Sequence, residues 1–364
     1  MTFALYWAIY YLRGIQLLFL NNVKMKRIFI AIAIFAIIAC GLMGWAYYLV
    51  IYPQFTLDKS AYIYIRSNDS AESIMQKIQE AGEPASMLGF KLLAHHNNLD
   101  KQKRTGRYAI NDGDNMHTLY RRIVSNQQTP IMVTVPAVRT VSQLVAAVSK
   151  QIMIDSLELA SFAQSQGYYA RVGYTKETLP TMFLPNTYEF YWDVSPERFM
   201  IRMMNERRNF WNESRKAKAE AIGLSIEQVM TLASIVDEET NDNTEKPIVA
   251  GLYINRLKRG MPLQADPTVK FAIGDFTRKR ILAADLEIES PYNTYKHKGL
   301  PPGPIRIASL QGIESVLNYA KHNYLYMCAK EDFSGTHNFA TTLAQHNANA
   351  RRYQQALNKL KIKK

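Results

Sequence analysis

From Ile28 to Tyr52 the chain carries no charged residue, a run of about 25 positions and long enough to cross a bilayer as one helix. Lys24, Lys26 and Arg27 precede it, and Tyr47, Tyr48 and Tyr52 crowd its far end. Basic residues stay on the cytoplasmic side, so residues 25–53 read as a single-pass anchor with everything after Pro53 outside. Two other readings of the run stay open: a cleaved signal segment, and a lipidated Cys40 within "IIAC". Residues 1–24 are apolar but carry Arg13 near their middle, which costs about 2.5–3.5 kcal/mol in a spanning helix. They form an extension that is either an interfacial helix or lies before the working start at Met25.

Beyond the anchor the pattern alternates. Period-two apolar positions from Tyr62 to Ile65 predict a strand. Ser70 then caps a helix reaching Gln79, with Ile74, Met75 and Ile78 on its inner face. "ASMLGFKLLAHHNNL" predicts a second helix, "TGRYAIN" a strand, and "DNMHTLYRRIVSN" a third helix with Leu119, Ile123 and Val124 inward. This β-α-α-β-α pattern defines a small mixed domain over residues 55–127. Residues 128–364 form a second, larger domain. It opens with a strand over Ile131 to Val135 and is then mostly helical, with a late strand at "YLYMCA" and a basic terminal helix. The fold class expected is α+β.

The most informative helix is "SIEQVMTLASIVDEET", Ser225 to Thr240. Ser225 and Gln228 make a capping box, with Leu224 and Val229 as its staple. At 100° per residue, Val229, Leu232, Ile235 and Val236 share an arc, and Glu239 falls on it. Asp237 and Glu238 fall opposite, where solvent is expected. A carboxyl on an apolar face has its charged form disfavoured, which is how a Glu becomes a general acid near neutral pH. The bland alternative is a Glu at a frayed helix end, turned to solvent or paired with an Arg.

The formal charge of +13 favours anionic surroundings, but no nucleic-acid motif accompanies it, so no nucleic-acid partner is expected. Two cysteines, Cys40 and Cys328, make no disulfide framework.

Two long stretches narrow the reading: "EKPIVAGLYINRLKRGMPLQADPTVKFAIG" and "ESPYNTYKHKGLPPGPI". With "LASIVDEET" they resemble the endolytic murein transglycosylase family, the YceG-like group. The resemblance covers nearly all of the chain from Met25 and implies a LysM-like small domain before the catalytic one. It maps the catalytic acid onto Glu239 and the neighbouring acid of the motif onto Asp237. The implied enzyme is a lyase without metal or cofactor. It cuts between N-acetylmuramic acid and N-acetylglucosamine in nascent peptidoglycan strands, leaves 1,6-anhydro ends and limits strand length. Glu239 protonates the leaving oxygen, then takes the proton of the muramyl C6 hydroxyl. The implied place is the outer face of the inner membrane, beside peptidoglycan synthases as partners. A non-catalytic glycan-binding scaffold and a hydrolytic muramidase remain as alternatives.

Gln264, Asp266 and Thr268 of "LQADPTV" and Tyr292, Asn293, Thr294 and Tyr295 of "SPYNTY" carry amides, hydroxyls and ring faces suited to sugars, and are expected at the substrate. The alternative for Asp266-Pro267 and Asn293-Thr294 is a turn whose residues bond their own backbone; Asp266 reads equally either way, whereas Gln264, Tyr292 and Asn293 read as cleft lining. Glu245 reads as a second cleft acid or as a helix-start residue. "GLPPGP" is expected to shape the cleft wall. "FLPNTYEFYW" and "VPAVRT" resemble family segments, with Asn186 in place of Asp and Ala137-Val138 in place of Glu-Gly. His337 and His346 have no trusted metal spacing and are expected to serve as structural hydrogen-bonding groups.

Overall fold

The computed structural model describes residues 10–11, 13–14, 23–277 and 281–359. The expectations for residues 1–24 therefore lie, but for a few positions, outside the described residues. The chain is mostly helical with short strand pairs, and it divides into two compact units, residues 1–130 and 131–364.

The first unit begins with α1, Val23–Val50. Its segment Met25–Val50 has 26 residues and a mean hydropathy of 2.6. Among the described residues it is the one helix that is long and apolar enough by itself to cross a membrane. A small layer follows. β1 (Ala61–Ile65) pairs antiparallel with β2 (Gly106–Ile110), with Ile63 opposite Tyr108. Against this ribbon pack α2 (Ala71–Gly82), α3 (Leu88–His96), the short α4 (Leu99–Gln102) and α5 (Met116–Val124). The apolar positions of the pattern become its core: Ile63, Ile65, Ile74, Ile78, Leu119 and Ile123 are all buried. Ser70 and Asn115 cap α2 and α5 by accepting the N–H groups of Ser73 and Thr118. Gly89 sets α3 directly on the end of α1: a Cβ there would lie 1.9 Å from the Leu49 carbonyl oxygen.

In the second unit β3 (Ile131–Val135) pairs antiparallel with β4 (Asn186–Phe190). Around them lie α6 (Val141–Ser149), α7 (Ser156–Ala163), α8 (Gln166–Arg171) and α9 (Pro196–Phe210). Val133, Leu144, Phe183 and Phe199 centre this half of the core. The other half centres on α11 (Ile226–Glu239), preceded by α10 (Glu213–Ile222). It includes α12 (Lys246–Lys258), α13 (Asp266–Ile273) and α14 (Leu310–Leu317). The hairpin of β5 (Tyr326–Ala329) and β6 (His337–Ala340) follows, then α15 (Leu343–Lys359).

Candidate active site

Helix α11 starts where its capping box places it. Ser225 Oγ accepts the Gln228 N–H at 3.2 Å, and Gln228 Oε1 accepts the Ser225 N–H at 2.8 Å. The helix is then buried on every side: each residue from Val229 to Asp237 is inaccessible. This corrects the expectation that Asp237 and Glu238 face solvent. Asp237 accepts from Lys246 Nζ at 2.7 Å and from Ser309 N and Oγ at 2.7 and 2.8 Å. Glu238 is clamped between Arg139 at 2.8 Å and Arg306 at 3.0 Å. A helix enclosed all round has no solvent face on which to leave an acid, so both are paired instead. The fit is tight. A Cβ on Gly312 would come within 2.6 Å of the Asp237 carboxylate, so only glycine lets α14 lie this close.

Glu239, the last residue of α11, is the acid that stays open. It lines a cleft of about 330 Å³ with Tyr253, Arg256, Gln264, Asp266, Tyr295 and His337 among its walls. Tyr253 donates its hydroxyl to Glu239 Oε1 at 2.6 Å. Desolvation pushes the Glu239 carboxyl up to about 7; the Tyr253 bond opposes this, and the Asp266 charge adds to it. His337 and Arg256 pull weakly the other way. Burial and the Glu239 charge together hold the Tyr253 hydroxyl well above the usual phenol range, so it remains a donor. Arg256 is fixed by the carbonyls of Leu325 at 2.6 Å and Leu263 at 2.8 Å. Glu239 also lines a second hollow of about 290 Å³, with Thr240, Asn241, Asp242 and residues 334–336.

The two sequence stretches meet at this cleft, but not every expected residue reaches it. Gln264 and Asp266 are exposed in it. Gln264 takes a left-handed backbone, φ 49°, while Arg256 approaches its side-chain oxygen at 3.3 Å. The Tyr295 hydroxyl donates to Asp266 Oδ1 at 2.5 Å. Thr268, Asn293 and Thr294, expected at the substrate, are instead buried behind it. Thr268 Oγ1 donates to the Ala265 carbonyl and meets Thr294 Oγ1 at 2.8 Å, and Thr294 Oγ1 accepts the Ala265 N–H. Asn293 gives its amide to the carbonyls of Leu286 and Ile288 and accepts the Tyr295 N–H. Thr268 and Thr294 join the two loops to each other, while Asn293 ties its own loop together, the turn role that its type also allows. Tyr292 packs on Phe271 at 4.7 Å between ring centroids and lines a different hollow, beside Arg139 and Pro304. The "GLPPGP" segment is likewise absent from the described lining of the Glu239 cleft. The residue after it, Ile305, joins α11 by donating its N–H to Ser234 Oγ at 3.0 Å.

Glu245 is buried and does not line the cleft. Its Oε1 accepts the His337 N–H at 2.7 Å and its Oε2 lies 2.9 Å from His337 Nδ1. His337 and His346 do hydrogen-bonding or stacking work, His346 against the Tyr326 ring, and both line the cleft. Sequence reasoning assigned no role to Tyr253 or Arg256. They sit in an ordinary apolar helix pattern, 14 and 17 residues beyond Glu239, and only the packing of α12 on α11 brings them to it.

Comparison with known proteins adds to this geometry. A profile of the YceG-like family matches residues 63–352. The chain is 38% identical to the endolytic murein transglycosylase of Bacillus subtilis (strain 168) over 178 residues, 49% of each chain. It is 35% identical to the endolytic murein transglycosylase of Streptococcus pneumoniae (strain ATCC BAA-255 / R6) over 134 residues, 36% of this chain and 24% of that one. The match thus spans about half of the first relative's length and about a quarter of the second's. A yceG-like protein from Listeria monocytogenes, with a crystal structure at 2.6 Å, superposes with a TM-score of 0.54. It is 24% identical and covers 80% of this chain and 99% of that one; the likeness is one of fold.

Proposed function

Because the chain belongs to the YceG-like family, we propose that it is a membrane-anchored endolytic murein transglycosylase with Glu239 as its acid. The bond cut joins N-acetylmuramic acid to N-acetylglucosamine within a nascent glycan strand. The observation that carries this reading is a carboxyl at about 7, open to a polar cleft and hydrogen-bonded to one phenol. Protonated, Glu239 gives its proton to the leaving glycosidic oxygen. Ionised, it is ready to recover one when the muramyl C6 hydroxyl attacks the anomeric carbon and closes the 1,6-anhydro ring.

Two-carboxylate glycosidases need a second acid, as nucleophile or as base for water. Here Asp237 and Glu238 are engaged by cations, and Glu245 by His337. An attacking group supplied by the substrate removes that need, and holding it in place is a proximity effect. Asp266 is the other carboxylate that lines the cleft, and the hydrolytic muramidase reading would rest on it rather than on Glu245. Gln264, Asp266 and Tyr295 are the side chains we assign to sugar contact. Thr268, Asn293 and Thr294 support them from behind, whereas Glu245 bonds to His337.

A strand that runs on in both directions needs room on both sides of the acid, and two hollows share Glu239. The small domain, LysM-like in this reading, adds a glycan contact, and α1 holds the cleft near newly made strands and their synthases. Size analysis of long purified glycan strands tests the endolytic mode. The full-length protein is expected to lower mean strand length early, before short products accumulate. Steady release of short ends from otherwise full-length strands would contradict it.

A further inference from the structure

Glu245 and His337 form a pair that single-acid catalysis leaves without a role. Glu245 is buried at the start of α12 and both of its oxygens go to one residue, the first of β6. The bond to the His337 N–H alone would pin the strand. The second bond, to Nδ1, does something else. A carboxylate only accepts, so Nδ1 carries the hydrogen, and in the neutral ring Nε2 is left with its lone pair. Nε2 makes no hydrogen bond among the described residues, and the ring lines the same cleft as Glu239. A base oriented by a third group and facing the same cleft as an acid is an arrangement that moves protons in many unrelated enzymes.

We propose that His337, oriented by Glu245, is a catalytic residue that relays the proton of the muramyl C6 hydroxyl to Glu239. The inference rests on the transglycosylase reading above. Glu239 first protonates the leaving oxygen as the C1–O4 bond breaks, and becomes a carboxylate. O6 then bonds to C1 while its proton passes to His337 Nε2. The imidazolium, stabilised by the Glu245 charge, gives that proton to Glu239. Both groups return to their starting states, and no water or other reagent is consumed. Glu239 Oε1 already takes the Tyr253 hydroxyl, so the relay spares one carboxyl from serving leaving oxygen, phenol and attacking hydroxyl in turn.

The test compares His337→Ala and Glu245→Gln with the wild-type full-length protein in detergent, with anhydro-end formation on purified glycan strands as the rate. For His337→Ala, kcat should fall about 10²-fold, the usual scale of a lost acid–base group, with KM little changed. Added imidazole should restore part of the loss. Glu245→Gln keeps the bond to the His337 N–H but turns an NH2 toward Nδ1, which forces the hydrogen onto Nε2. It should lower kcat with no change in KM, and it covers the case in which alanine disturbs the hairpin. Unchanged kcat in both variants, or a loss in His337→Ala that imidazole leaves untouched, would overturn the relay. An inactive wild-type protein would instead count against the transglycosylase reading on which the relay stands.

Discussion

A general acid that titrates at about 7 is lost over the upper half of the physiological range. With Glu239 in that position, kcat/KM should decline as pH rises through about 7. Tyr253 favours the ionised carboxylate through its 2.6 Å bond. Tyr253→Phe should therefore move the alkaline limb of the profile to higher pH, which a pH–rate series on both proteins would read. The same carboxyl makes a stability prediction. The folded chain holds a proton up to about pH 7 that the unfolded chain releases near 4.5, so stability is greatest below 4.5 and falls as pH rises between the two. The loss is on the order of 3 kcal/mol. Glu239→Gln removes it, and should melt higher than wild type above pH 7 but alike at pH 4. Equal melting at both pH values would mean that the site is well solvated. The 3.6-residue period put Glu239 on the apolar arc, but it misplaced Asp237 and Glu238 because the helix is enclosed on every side. Asn293 and Thr294 were not legible, since an amide in a turn and an amide at a sugar have the same composition.

At the scale of elements, the Asp237–Lys246 pair joins α11 to the start of α12, with both side chains nearly inaccessible. Removing one partner of such a pair leaves an uncompensated buried charge, at about 3–5 kcal/mol. Lys246→Met should lower the melting temperature accordingly, whereas Lys216→Met, at an exposed pair with Glu213, should cost at most about 0.5 kcal/mol. Comparable shifts in the two variants would contradict this placement of Asp237. The capping box of α11 and the cap of α2 were readable because both partners lie three residues apart. The pairing of Asp237 and Glu238 was not. Ser309, Arg139 and Arg306 lie 72, 99 and 68 residues away, and only the tertiary fold joins them. The pattern placed β1, β2, β3 and β5 but assigned no strand to Asn186–Phe190 or His337–Ala340. Those segments are short and rich in polar residues, and they extend because a partner strand is present.

For the whole molecule, α1 is consistent with a single membrane anchor or a signal sequence. Its 26-residue segment Met25–Val50 spans about 39 Å at the rise of a helix, ample for a hydrocarbon core. The mature chain should stay with the membrane after alkaline carbonate washing; release of a shortened chain would show that the segment is a removed signal sequence. The +13 charge suits an anionic neighbourhood at that surface. The central claim is that Glu239 drives cleavage by an internal hydroxyl. Mass spectrometry of glycan strands incubated with the full-length protein and with Glu239→Gln tests it most directly. The account predicts new 1,6-anhydromuramic ends from the wild type and none from the variant. New ends heavier by one water, or anhydro ends that persist in Glu239→Gln, would contradict it.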